Sequence, residues 1–128
     1  MHNESVDIIL NIFAPHDADE FSRILRKDGI FLSVTPGPEH LRGLKEELYE
    51  TVTLHDDETP GIEGFRVDGI DNLKYEFTVN WPQMKSDLLT MTPYYWRTKP
   101  GRIEALEKSP APLTTAADFR ITVYRKLM

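Results

Sequence analysis

The chain contains no cysteine in 128 residues. That absence excludes a disulfide framework, a thiolate zinc site and a cysteine nucleophile. No apolar run is long enough to span a membrane, and no signal-peptide pattern precedes the first apolar stretch. A cytoplasmic protein with no membrane partner is the expectation. Positive charge is in deficit as well: 15 Lys and Arg stand against 21 Asp and Glu, a formal net charge of −6. A domain that grips nucleic acid unaided presents a basic face, because phosphate neutralisation supplies much of the affinity. The composition therefore argues against an autonomous RNA binder. The four histidines show no ligand spacing, and the acidic run Asp56-Asp57-Glu58 reads as a solvated loop, so no metal site is expected. There is no internal repeat and no low-complexity tract.

What remains is an ordinary globular balance, 40% hydrophobic and 28% charged, suited to one domain over residues 1–128. Residues 6–13 form an apolar run without a helical stripe and read as a strand buried on both faces, as in a parallel sheet covered by helices. Asp17 is placed to cap a helix, with Glu20 completing a capping box, Phe21, Ile24 and Leu25 as the apolar stripe, and Gly29 as a left-handed stop. Ile30 to Val34 is a second strand. Pro38 fits the first position of the next helix, which buries Leu41, Leu44 and Leu48 and turns Arg42, Lys45, Glu46 and Glu47 to water. Strand, helix, strand, helix is a crossover unit of a parallel sheet.

Alternation resumes at Phe65 and runs to Val79, as one long strand interrupted near Asp71-Asn72 or as two short ones. Asn80 can cap a helix with Trp81, Met84, Leu88 and Met91 on one face. A break follows at Thr92-Pro93, another helix starts at Pro100, and Phe119, Ile121, Val123 and Leu127 mark a closing strand.

Three strings, VDIILNIFAP (6–15), VTPGPEHLRGLKEELY (34–49) and MTPYYWRTKP (91–100), with the closing DFRITVYRKL, carry a resemblance. In that order and spacing the chain resembles the C-terminal half of a class I S-adenosylmethionine-dependent methyltransferase, closest to the bacterial large-subunit ribosomal RNA guanine-N1 methyltransferases. The resemblance implies an α/β fold, half of a Rossmann-like sheet, with about four to five strands, mostly parallel, and an antiparallel final strand inserted near the edge. The glycine-rich loop and the acidic strand end that grip the cofactor have no counterpart here, nor has the cysteine-rich zinc module. The chain is accordingly expected to be a fragment of such an enzyme, not catalytically competent alone and binding S-adenosylmethionine weakly or not at all.

Ligands of open α/β sheets bind beyond the carboxyl ends of the strands. By resemblance, Asn11, Phe13 and Ala14 would face the cofactor, and Pro15, Pro36, His40, Tyr94, Tyr95 and Arg97 the acceptor base in ribosomal RNA. Among the aromatics, Trp96 is assigned to packing and Tyr94 to substrate, since aromatic faces stack on unpaired bases. Methylating guanine N1 requires loss of its proton, for which His16, Asp17 and His40 are nearby candidates; Asp17, as a helix cap, is a weak base. Strand 6–13 would lie inside the parent sheet; without its neighbour it offers an open edge, so self-association, as a dimer, is expected there. Two other readings stand beside this one: a non-enzymatic α/β binding or dimerisation domain, and a same-fold methyltransferase of a small molecule or quinone.

Overall fold

The structure, a computed structural model, describes residues 1–49, 59–80 and 82–127. The elements are β1 (Val6–Ile12), α1 (Ala18–Ile24), β2 (Leu25–Pro36), α2 (Arg42–Leu48), β3 (Phe65–Val79), α3 (Pro82–Thr90), a 3-10 turn (Pro93–Arg97), α4 (Pro100–Lys108) and β4 (Leu113–Lys126). The four strands form one sheet in the order β1-β2-β4-β3. β1 and β2 are parallel, and the remaining pairings are antiparallel. Three strands thus share a direction while the last in sequence runs against them, as the resemblance implied. β3 is continuous across Asp71-Asn72. The acidic run 56–58 and Trp81 lie outside the described residues.

The chain, expected as one domain, divides into two compact units. The first comprises Met1–Gly37, Asp56–Leu73 and Phe119–Met128. Its core centres on Phe31, which is fully buried. Phe31 stacks on Tyr124 at 4.6 Å and meets Phe65 and Phe21 edge-on at 5.0 and 5.3 Å. The Phe31–Tyr124 stack follows from register, because Phe31 lies directly opposite Tyr124 in the β2–β4 ladder. Asp17 caps α1 as expected, accepting the Glu20 N–H at 3.1 Å. The Glu20 carboxylate turns to Arg23 instead of closing the capping box.

Two expectations fail in this unit. The helix does not stop at Gly29: it ends at Ile24, with Leu25 as its cap, and residues 25–29 already belong to β2. Asp28, not Gly29, takes the left-handed conformation, with φ 63°. Gly29 is needed for proximity, since a Cβ there would lie 2.8 Å from the Arg26 carbonyl oxygen and 3.2 Å from that of Asp7 in β1. Nor is β1 buried on both faces. Ile8, Leu10 and Ile12 are 58, 64 and 60% exposed, whereas Ile9 packs against the core and Asn11 is buried. The cause is position: β1 is the edge strand, and Val6, Ile9 and Asn11 are the residues it turns inward.

The second unit comprises Pro38–His55 and Lys74–Asp118. Leu41, Leu44, Leu48, Val79, Leu89, Leu106 and Leu113 form its core. Pro38 does not begin the helix; α2 starts at Arg42, after Leu41 has adopted φ 52° and given its N–H to the Ala116 carbonyl at 2.7 Å. Gly43 admits this approach, because a Cβ there would fall 2.1 Å from the Thr114 carbonyl oxygen. Lys45, expected in water, is buried, with its ammonium 5.2 Å from the Tyr94 ring centroid. Burial pushes its pKa down. On α3 the expected face also fails: Met84 and Met91 are exposed, while Leu89 and Lys85 are buried. Lys85 Nζ donates to the carbonyls of Ser109 and Ala111, which satisfies a cation that would otherwise be costly to bury.

Replacing Phe31 by Ala should cost about 3–5 kcal/mol of stability, the range for truncating a buried aromatic. Gly43→Ala should cost about 1–3 kcal/mol through overpacking. Urea denaturation of each variant checks both values, with Met91→Ala at an exposed position as the near-neutral control.

Candidate functional site

The carboxyl ends of β1 and β2 carry the most distinctive local geometry in the first unit. Phe13, immediately after β1, has φ 50°, a conformation uncommon for a bulky side chain and a candidate for functionally stored strain. Two bonds hold the turn. The Phe13 N–H donates to the Val34 carbonyl at 2.9 Å, and the Asn11 side-chain amide donates to the Ala14 carbonyl at 3.1 Å. Asn11 therefore explains itself as the brace of this turn. The Phe13 ring, half exposed, lies 5.7 Å from that of Phe119.

Beside the turn is a cavity of about 220 Å³. Ala14 and His16 border it from the turn, Ser33 and Thr35 from β2, and Arg120 and Thr122 from β4. Register builds the polar wall: Ser33 is opposite Thr122 and Thr35 opposite Arg120, so all four project from one face of the sheet. A loop segment, Thr59-Pro60, is tied across it. Tyr124 Oη donates to the Pro60 carbonyl at 2.7 Å, and an Arg120 N–H reaches Thr59 Oγ1 at 3.4 Å. Burial pushes the Tyr124 hydroxyl up, so it stays a neutral donor. The His16 imidazole lies nearly parallel to Phe31, with centroids 6.3 Å apart. Three hydroxyls, an imidazole and a guanidinium can together offer donors and acceptors to a planar polar ligand.

Of the residues picked from sequence, Asn11, Phe13, Ala14, Pro15, His16 and Pro36 fall in the first unit, and His40, Tyr94, Tyr95 and Arg97 in the second. Only Ala14 and His16 border the cavity. Its other polar residues were missed, although polar side chains at every second position of two apolar strands, Ser33 and Thr35, Arg120 and Thr122, were visible as a pattern. His40 is buried, and its Nδ1 accepts the Asp118 N–H at 3.1 Å. Asp118 in turn accepts the Glu39 N–H at 3.0 Å. That lone pair is committed to the fold, which disfavours His40 as a base.

The exposures of the aromatics differ from those expected. Tyr94 packs against the second core, edge-on to Tyr49, and burial followed by the neighbouring Tyr49 pushes its hydroxyl up. Trp96, assigned to packing, is 85% exposed. With Tyr95, Thr98, Ile103, Glu104 and Glu107 it lines an open trough of about 540 Å³. Arg97 is exposed beside it. Packing claims Tyr94 because Lys45 and the α2 core lie against its ring.

Among the described residues no three His, Asp or Glu side chains converge to hold a metal. As for an adenosyl cofactor, the turn offers an apolar face in Phe13 and an Asn11 amide that already gives one N–H to the Ala14 carbonyl. The residues present do not fit that group as a complete site. His40→Ala should leave the buried Asp118 N–H without its partner and cost about 1–3 kcal/mol. Thermal unfolding with amide exchange at Asp118 measures this.

No family model matches the chain. It is 30% identical over 126 residues to "Putative 23S rRNA (guanine-N(1)-)-methyltransferase YxjB" of Bacillus subtilis (strain 168), covering 94% of this chain and 44% of that protein. It is also 30% identical over 137 residues to "Putative 23S rRNA (guanine-N(1)-)-methyltransferase" of Micromonospora griseorubida, covering 96% and 43%. The chain thus spans less than half the length of these relatives. A crystal structure of "a putative methyltransferase" from Bacillus halodurans C-125 superposes with a TM-score of 0.53 at 14% identity, over all of this chain and 67% of the other. Over nearly its whole length the chain is similar to proteins named as 23S ribosomal RNA guanine-N1 methyltransferases, and its architecture is a Rossmann-like fold shared with that solved structure.

Proposed function

We propose that the chain is the acceptor-base flank of an S-adenosylmethionine-dependent ribosomal RNA guanine-N1 methyltransferase, and that alone it does not catalyse transfer. The observation that carries this is the hydroxyl- and arginine-lined cavity beside the Ala14–His16 turn, at the strand ends where an open α/β sheet places its ligand. A guanine edge presents adjacent N–H donors and a carbonyl acceptor, which suits a wall of hydroxyls with one guanidinium. His16 is the candidate for accepting the N1 proton: it borders the cavity, whereas Asp17 is engaged as a cap and His40 as an acceptor. On this reading Phe13 supplies an apolar surface towards the cofactor, and Pro15 and Pro36 belong to the same unit as the cavity without lining it. In the second unit, Trp96, Tyr95 and Arg97 take the stacking role first given to Tyr94. The cofactor is held chiefly by residues outside this chain. Two partners follow: ribosomal RNA and, through the edge of β1, another polypeptide strand. That edge is also the one observation favouring the alternative of a binding domain without chemistry.

Titrating the isotope-labelled chain with guanosine 5′-monophosphate tests this reading. Amide shifts should concentrate at Ala14, His16, Thr35 and Arg120, with a weaker response to the adenosine analogue. Arg120→Gln should weaken the guanosine response about tenfold or more, as expected for losing a charged hydrogen bond. Shifts elsewhere, or none, would overturn the assignment of the cavity. With labelled S-adenosylmethionine and 23S RNA, transfer by this chain above the blank would overturn the claim that it is only one flank.

A further inference from the structure

The cavity of the first unit has one wall that the sheet does not build. Thr59, Pro60 and Ile62 line it from outside the strands. Ile62 is held by packing against the Phe31 core, and its carbonyl accepts the Phe65 N–H at 3.1 Å. Gly61 offers no grip, since a Cβ there would meet nothing within 4 Å. Pro60 has no N–H, so its carbonyl is the backbone group left to tie it down. Tyr124 Oη donates to that carbonyl at 2.7 Å, while the Arg120 N–H lies 3.4 Å from Thr59 Oγ1, long for a hydrogen bond. The two ties differ in kind. Tyr124 is buried, lies opposite Phe31 in the ladder and stacks on it, so the core sets the place of its hydroxyl. Arg120 brings a guanidinium to a cavity whose described lining residues include no carboxylate.

We propose that Tyr124 is a positioning residue, holding the Thr59–Pro60 wall through the Pro60 carbonyl, and that Arg120 exchanges Thr59 for the acceptor edge of an entering guanine. The proposal deepens the guanine reading of this cavity and rests on it. An arginine can give two parallel N–H bonds to guanine O6 and N7, against the single long one it gives Thr59. Thr59 is therefore a competitor for the guanidinium, present before the ligand and displaced by it. The Tyr124 tie involves no group that the ligand needs, so Pro60 stays anchored while Thr59 is released. One wall thus carries a fixed tie and an exchangeable one. Their removal should change affinity in opposite directions.

Variants of the 128-residue chain separate the two roles. Tyr124→Phe keeps the ring and its stack on Phe31 but removes the tie. Without ligand, amide order parameters at Thr59, Gly61 and Ile62 should fall from about 0.85 towards about 0.6, while those in β2 and β4 hold. The affinity of this variant for guanosine 5′-monophosphate should fall about three- to tenfold. Thr59→Val removes the competitor for Arg120, so its affinity should rise about two- to threefold. That gain should vanish in the Arg120→Gln background, because the valine then relieves no competition. Order parameters or an affinity unchanged in Tyr124→Phe overturn the positioning role. Equal or weaker binding by Thr59→Val, or a gain that survives Arg120→Gln, overturns the exchange. If neither the wild-type chain nor any variant binds guanosine 5′-monophosphate, the cavity reading falls and the exchange with it. The order parameters of the unliganded chains still decide what Tyr124 holds.

Discussion

Phe31 is the residue on which the first unit is organised. It sits at the middle of β2, the strand that is parallel to one neighbour and antiparallel to the other. Its ring touches Tyr124 across the antiparallel ladder, Phe21 from α1, and Phe65 from the start of β3. Each contact joins a segment distant in sequence, so one side chain fixes the crossover helix, the closing strand and the entry of β3 together. Offset and edge-on aromatic pairs add about 0.5–1.5 kcal/mol each beyond area burial. The cavity inherits its shape from this cluster. Tyr124, positioned by stacking on Phe31, sends its hydroxyl to Pro60 and so anchors the segment that lies across the cavity. His16 lies over the same ring.

The two faces of β1 show how a strand reads as one thing in sequence and another in space. Six apolar residues among the eight at 6–13 imply burial on both sides, and that inference is sound for a strand flanked on both edges. Edge position is a property of topology, invisible to hydropathy. The same limit explains Lys45 and Lys85. Periodicity placed Lys45 in water, because a cation in a core is rare. Its burial depends on the Tyr94 face, and that of Lys85 on carbonyls more than twenty residues away. Neither partner is encoded locally.

Other features were legible because their physics is local. Asp17 caps α1, Pro100 opens α4, and the helix before Thr92-Pro93 stops there, with Thr92 Oγ1 donating to the Leu89 carbonyl at 2.7 Å. An antiparallel strand inserted near the edge came through likeness to known proteins; its place between β2 and β3 is a long-range choice that the structure supplies. The cavity wall stands between these cases. Its alternating polar residues were present in both strands, but only the pairing of Ser33 with Thr122 and of Thr35 with Arg120 turns two weak patterns into one surface.

Charge constrains how such a surface can serve a ribosomal RNA enzyme. At a net −6 the chain is repelled by a polyphosphate, and neutralising several phosphates is what gives most RNA-binding domains their affinity. Phosphate contacts position a protein, while contacts to base edges and faces select. The groups found here, hydroxyls, an imidazole, exposed indole and single guanidinium groups, belong to the second category. On the proposed function, a flank of this composition would discriminate at one nucleotide and leave the holding of the backbone to positively charged surface elsewhere. Such a division of labour is what the proposal requires of an acidic chain.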